Sequence, residues 1–204
     1  MCSSDLDNDI KRLWNEGCFV VDPFPSKINP ASIDLTLGNK QYQYNFENYI
    51  LGSEIDSEKD VVQTEFLDLT LEHGESVYIG IAEKLTIPYD AMGYVFPRSS
   101  ITRLGVQIIP VFMNPGYTGY MPLTITNHSG KSVTIKPGCR IAQLSLFSLN
   151  TKSGNTYGRR EDAKYQNEDV SHSQLHKDEE FQAAIDRAVQ RMAPNISKLI
   201  NTSK

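Results

Sequence analysis

Pro97–Tyr120 reads PRSSITRLGVQIIPVFMNPGYTGY, and the organisation of the chain follows from it. Its middle, Val106–Val111, is rich in β-branched residues and lies between Gly105 and the NPGY turn signal at Asn114. That pattern predicts a strand between a polar loop and a tight turn. Outward from it, similar segments recur at Ser76–Ala82, Ala91–Phe96, Met121–Thr126 and Ser132–Ile135, separated by Gly, Pro, Asn and Asp, with a second turn signal, KPG, at Lys136. Over residues 18–149 this spacing predicts a β-barrel or sandwich.

The flanks read differently. Residues 5–17 predict a short amphipathic helix, with Asp5 as N-cap, Ile10, Leu13 and Trp14 on one apolar face, and Gly17 at its end. Asn45–Glu65 is polar and acidic, an expected excursion from the barrel. Residues 150–180 are polar and charged, with Gly154 and Gly158, and predict a mobile arm unless something binds it. Asp178–Leu199 predicts a helix, with Phe181, Ile185, Ala188, Val189 and Met192 on one face and Pro194 interrupting it. Such a face suits packing on another copy or on a protein partner.

The 204 residues make one domain, or one domain plus an extension. A net charge of −5 argues against general nucleic-acid binding, which needs a basic face. No apolar run approaches the ~20 residues of a membrane span. The start, MCSSDLDNDIKRLW, is acidic and polar, unlike a signal peptide. Cys2, Cys18 and Cys139 are odd in number and far apart, which suits reduced thiols in a cytoplasm.

Arg98, Ser99, Ser100 and Arg103 fall within six residues. A guanidinium presents a planar fork of donors to phosphate oxygens, and serine adds short hydroxyl donors. A loop holding all four can grip a polyphosphate, although a lone R-S-S is more often a solvated turn. Zinc-dependent base deamination needs H-x-E and P-C-x-x-C. The chain has no C-x-x-C, and His73, His128, His172 and His176 have no cysteine partners at ligand spacing, so no zinc is expected.

Five blocks in order, INPASIDLTLGNK (Ile28–Lys40), LTIPYDAMGYVFPRSSITRLG (Leu85–Gly105), NPGYTGYMPLTITNHSG (Asn114–Gly130), KPGCRIAQLSLF (Lys136–Phe147) and YGRREDAKYQN (Tyr157–Asn167), resemble the dCTP deaminase branch of the dUTPase superfamily. The resemblance implies a mostly β, dUTPase-like barrel or jelly-roll-like subunit over residues 1–149, with a short N-terminal helix. It implies an arm over residues 150–178 that closes on the nucleotide, and leaves a helical extension over 179–204. It further implies a homotrimer with three sites at subunit interfaces, a dCTP- or dUTP-like deoxynucleoside triphosphate as ligand, and Mg²⁺ carried by that triphosphate. Arg98, Ser99, Ser100 and Arg103 match the family's phosphate and base loop. Tyr117 matches an aromatic near the deoxyribose, Gln143 a glutamine close to the phosphates, and Tyr157 and Lys164 arm residues that close over the triphosphate. For Tyr117 and Gln143, ordinary turn and strand packing is an equal alternative.

The departures bear on chemistry. In the family a glutamate in the strand after the P-G-[YW] turn activates water and carries the proton to ammonia. Here that strand is PLTITN and the position is Thr124, whose hydroxyl is neither a general base nor a useful proton carrier near pH 7. The family's acidic residue before P-G-[YW] is Asn114, and the loop from Gly105 to Asn114 is two residues shorter. The arm's expected glutamine is Glu168, an anion that repels a triphosphate. Three readings follow: a working dCTP deaminase, a nucleotide hydrolase with altered chemistry, and a silent nucleotide binder acting as a sensor or interaction module. Thr124 and Asn114 weigh against the first.

Overall fold

The computed structural model describes residues 7–23, 27–169, 172–187 and 189–190. The chain opens with α1 (Asp7–Asn15), which buries Ile10 and Leu13 and leaves Trp14 partly exposed. Gly17 ends the turn at φ +68°, the left-handed conformation that glycine adopts without a Cβ clash. Asp5, the expected cap, lies outside the described residues.

Then come β1 (Val20–Asp22), β2 (Ile28–Asn29), a long β3 (Ser32–Tyr44), β4 (Val61–Glu65), β5 (Leu69–Leu71), β6 (Ser76–Ile81), β7 (Lys84–Thr86) and β8 (Ala91–Pro97). A single turn of helix, α2 (Ser99–Thr102), precedes β9 (Val106–Ile108) and β10 (Val111–Met113). The last strands are β11 (Thr118–Gly119), β12 (Pro122–Asn127), β13 (Val133–Ile135) and β14 (Arg140–Ser148). The main sheet runs β10-β8-β14-β3-β6-β12-β9, with β2 and β4 also on β3. Two small sheets, β1-β7-β11 and β13-β5, complete it.

Val106–Val111 is two strands rather than the single one its composition predicts. Val106–Ile108 pairs with β12, whereas Val111–Met113 pairs with β8. Ile109 and Pro110 separate them, and proline has no N–H to continue a ladder. The physical consequence is closure. β9 and β10 stand at opposite ends of the strand order yet are joined by two residues. The sheet's two edges therefore come together, and the sheet curls around its core.

Alternation fills that core. Val77, Ile79 and Ile81 of β6 face inward, as do Leu123 and Ile125 of β12, while Thr124 and Thr126 stay half-buried. Leu35, Leu37, Leu85 and Val95 are fully enclosed. Among the described residues, no helix is long and apolar enough to cross a membrane.

The chain divides into two compact units. One holds residues 1–43 and 62–171, and the other holds 44–61 and 172–204. The second contains residues 45–61 of the acidic excursion expected from the sequence; residues 62–65 instead lie in β4, which pairs with β3. In it Tyr44, Phe46 and Tyr49 stack in series, and the Tyr44 hydroxyl accepts the Ser173 N–H at 3.0 Å. The C-terminal helix is helical over residues 179–187 and 189–190. Its Phe181 ring covers Gly52, where a Cβ would lie 2.5 Å from the ring. Ile185 and Val189 remain exposed. Ala188, Met192 and Pro194 of the predicted helix lie outside the described residues.

Candidate functional site

The sequence-predicted residues fall into two groups on the first unit. The first group hangs on Asp34 of β3. Ile33 and Leu35 on either side face the core, and Asp34 itself is only 1% exposed. A buried carboxylate is costly unless it is hydrogen-bonded and paired. Asp34 accepts from Arg140 Nη1 at 2.8 Å, Asn29 Nδ2 at 2.9 Å and Gln143 Nε2 at 3.1 Å. Arg98 Nε stands 3.7 Å from the same carboxylate, and Arg98 Nη1 donates to the Arg140 carbonyl at 3.2 Å. The backbone fixes the arrangement: β14 pairs with β3 on one side and β8 on the other, and the Arg98 N–H donates to the Ile141 carbonyl. Two guanidiniums thus flank one carboxylate, leaving a net positive charge. Arg98 and Arg140 are 25% and 35% exposed, so the charge reaches the surface while its anchor does not.

Ser99, Ser100 and Arg103 follow Arg98 on and just after α2, and all three are exposed. Phe96, two residues before Arg98, is also exposed. Its ring lies 4.6 Å from that of Tyr94, which in turn meets Phe112 of β10 at 6.2 Å.

The second group is built by the turn from Asn114 to Tyr120 and by the arm. Asn114 is exposed and its carbonyl accepts the Tyr117 N–H at 3.1 Å. Residues 156–169 lie along this turn rather than standing away from it. The Tyr157 N–H donates to the Pro115 carbonyl, the Asn167 N–H to Thr118, and the Tyr120 N–H to Glu168, at 2.8, 2.7 and 2.9 Å. Gln166 bonds both ways, accepting from the Thr118 N–H and donating to the Gly116 carbonyl. The Tyr157 hydroxyl accepts the Tyr165 N–H at 2.8 Å. Lys164 lies 5.8 Å from the Tyr165 ring centre.

Tyr117 joins turn and arm. Its ring is 3% exposed, and its hydroxyl donates to Glu168 Oε1 at 2.6 Å. Burial, and then the neighbouring Glu168 carboxylate, raise the Tyr117 phenol well above its ordinary range. The proton therefore stays on the tyrosine, and Glu168 is the acceptor. Burial also raises Tyr157. The approach is close because residue 119 is glycine: a Cβ there would lie 2.8 Å from the Tyr117 hydroxyl and 2.9 Å from Glu168 Cγ.

Thr124, at the position that should carry acid–base chemistry, sits on β12 opposite Tyr78, with its carbonyl accepting the Ile109 N–H. His73 accepts the Gly130 N–H, and His128 bonds Gln107, so both have local structural roles.

Sequence reasoning missed Asp34, Arg140 and Gln166. A signal for Asp34 was present: a lone carboxylate in the apolar run ASIDLTL, where both strand faces are to be buried. Its pairing with Arg140 and Gln143 was not legible, because they lie 106 and 109 residues away.

Comparison with known proteins follows the same lines. The 2′-deoxycytidine 5′-triphosphate deaminase of Agrobacterium tumefaciens is similar in fold, with TM-score 0.59 and 21% identity over 72% of this chain and 48% of that one. This chain therefore spans about half the length of that deaminase. The dUTPase of Staphylococcus bacteriophage 80alpha with dUpNHpp gives TM-score 0.47 and 16% identity, over 78% and 94% of the two chains. A mutant dUTPase of phage phi11 of S. aureus, which coordinates a structural Mg(II) ion, gives 0.46 and 15% over 67% and 94%. Residues 6–149 match the family described as dCTP deaminase-like. The chain belongs to the dCTP deaminase-like family.

Proposed function

We propose that this chain binds a pyrimidine deoxynucleoside triphosphate in nucleotide metabolism and does not deaminate it. The observation that carries the reading is the Asp34 cluster. A buried carboxylate holds Arg140 and Gln143 in place beside Arg98, with both guanidiniums reaching the surface. Donors fixed before a ligand arrives lose little freedom when it binds, which suits recognition of phosphate oxygens. Arg98, with Ser99, Ser100 and Arg103 beside it, takes the phosphates, and Gln143 contributes its amide. Asn114 and Tyr117 take the sugar side, with the arm residues Tyr157 and Lys164 over the triphosphate. Mg²⁺ comes with the triphosphate. Among the described residues no group of three or more His, Cys, Asp or Glu is placed to hold a metal.

Loss of deamination follows from Thr124, whose hydroxyl cannot take the proton of an attacking water near pH 7. A homotrimer in the cytoplasm completes the reading. The exposed Phe96 and Phe112, with the half-buried Tyr94 between them, form an aromatic surface that runs up to Arg98, and a surface of that kind is expected to be covered by another chain. Glu168 favours a second reading, a hydrolase with altered chemistry, because it places a carboxylate on Tyr117.

Calorimetry with dCTP, dUTP and the other deoxynucleoside triphosphates in Mg²⁺ tests the binding. Arg98→Ala removes a desolvated arginine–phosphate contact, and the affinity should fall by about 2–5 kcal/mol. Equal binding by wild type and Arg98→Ala, or no binding by either, refutes the proposal. Release of pyrophosphate that Glu168→Gln abolishes favours the hydrolase reading.

A further inference from the structure

A cavity lies on the first unit, lined by none of the side chains proposed to take the triphosphate, although Tyr120 and Asp169 in its wall belong to the turn and the arm. Its volume is about 620 Å³, within the range of small-molecule sites. A break in the β3–β6 ladder opens it. Leu37 faces Ile81 and Gln41 faces Ile79, so three residues, Gly38, Asn39 and Lys40, stand opposite Gly80 alone. Bulges of this kind redirect side chains and occur beside functional sites. Here a Cβ on Gly38 would lie 2.8 Å from the Gly80 carbonyl oxygen, so the strands can approach only because residue 38 is glycine.

The chemistry of the lining is mixed. Lys40 supplies a cation, Asn39 an amide, and Tyr42 and Tyr120 two phenol rings, with Leu37, Ile81 and Pro137 as apolar wall. Burial, and then Asp169, raise the Tyr42 phenol, so its hydroxyl stays a donor. The arm reaches this cavity as well. Asp169, the residue after the one that holds Tyr117, lines it and stands 4.0 Å from Lys40. That pair is loose and partly exposed, at 35% and 71%, so another anion can displace Asp169 at little cost.

We propose that this cavity is a second ligand site, for a mononucleotide whose phosphate takes Lys40 from Asp169 while its base lies against Tyr120, with the buried Tyr42 in the wall behind it. Asn39 offers both a donor and an acceptor to the base edge. Because Asp169 follows Glu168 directly, occupancy of the cavity acts on the arm that holds Tyr117. The proposal does not depend on the triphosphate reading, since the two sites use different cations.

The probe is 2′-deoxycytidine 5′-monophosphate, titrated by calorimetry into the full chain and three variants. Arg98→Ala, which disables the proposed triphosphate site, should still bind one equivalent per chain at this cavity. Lys40→Met keeps the aliphatic stem and should weaken binding at least about tenfold, with an unchanged melting midpoint as fold control. Asp169→Ala should bind more tightly than wild type, because the competing carboxylate is gone. Inorganic phosphate alone should bind at least about tenfold more weakly than the nucleotide. Loss of binding in Arg98→Ala with retention in Lys40→Met would place the probe in the triphosphate site and overturn the proposal. Absence of binding to wild type overturns it too, and phosphate binding as tightly as the nucleotide refutes the proposed ligand class.

Discussion

The two halves of the proposed triphosphate site are held by different kinds of structure. Around Asp34, the side chains proposed to bind phosphate stand on β14 and just past the end of β8, and their anchor on β3, at the centre of the sheet, is a carboxylate shut away from water. Around Tyr117, they stand on a turn and on the arm, joined by short backbone bonds, by the Gln166 amide and by a hydroxyl-to-carboxylate contact. The first half is therefore a property of the barrel. The second is a property of the arm, and only low-cost local opening is needed to undo it. Changes to one half should leave the other in place.

The largest expected effect is at the anchor. Asp34→Ala strands the donors of Arg140, Asn29 and Gln143, and should cost about 3 kcal/mol, the lower end for breaking a buried ion pair, because Arg140 is partly exposed. Chemical denaturation measures it, and a loss below about 1 kcal/mol, typical of a surface pair, would mean that Asp34 does not hold the cluster.

Gly119→Ala strikes the other half. Its Cβ meets Tyr117 and Glu168 below 3 Å, and overpacking of this kind should cost about 2 kcal/mol. Amide exchange should then accelerate at Asn167 and Tyr120 but not in β8 or β14. Uniform acceleration would contradict the independence of the halves.

Tyr117→Phe is milder. It removes the hydroxyl from Glu168 while keeping the ring, and about 1.5 kcal/mol is expected for a hydrogen bond to a charged group. The same local exchange pattern should appear, with exchange in β8 and β14 unchanged. If the arm exchanges as slowly as in wild type, this bond does not hold it.

The smallest effect is a pH dependence on the barrel side. Glu83 accepts from the Thr36 N–H and hydroxyl of β3 at 2.7–3.1 Å, and burial, the dominant influence, raises its carboxyl above the ordinary glutamate range. The native state therefore holds this proton at pH values where the unfolded chain has released it. Its contribution is fully present below the unfolded pKa and is lost as pH rises through the folded one. Wild type should gain stability relative to Glu83→Gln as pH falls from 7 towards the ordinary glutamate range, about 4.3. A gap that stays constant or shrinks on acidification contradicts the assignment.

The sequence shows these halves unequally. Alternation and turn residues reveal most strands, as Ser76–Ala82 against Ser76–Ile81 illustrates, because the pattern that buries one face is local. Val106–Val111 misleads, since composition does not say that Pro110 sends its two ends to opposite sheet edges. The R-S-S-x-x-R loop is legible as a cluster of hydrogen-bond donors, but the anchor of Arg98 is not. Asp34 acquires its partners only when β14 pairs with β3. The arm reads as polar and unattached because half of its bonds to the hairpin are backbone bonds, which side-chain composition does not record. The β3 bulge is equally silent, since it exists only relative to β6.

The central claim is that a prearranged cation site outlives the loss of the proton carrier at position 124. The most direct measurement incubates the purified chain with dCTP and Mg²⁺, following ammonia release and nucleotide binding in the same sample. Saturable, Arg98-dependent binding with no ammonia above the uncatalysed rate is the predicted result. Ammonia released in repeated turnovers by the wild-type chain, and lost in Arg98→Ala, would contradict it.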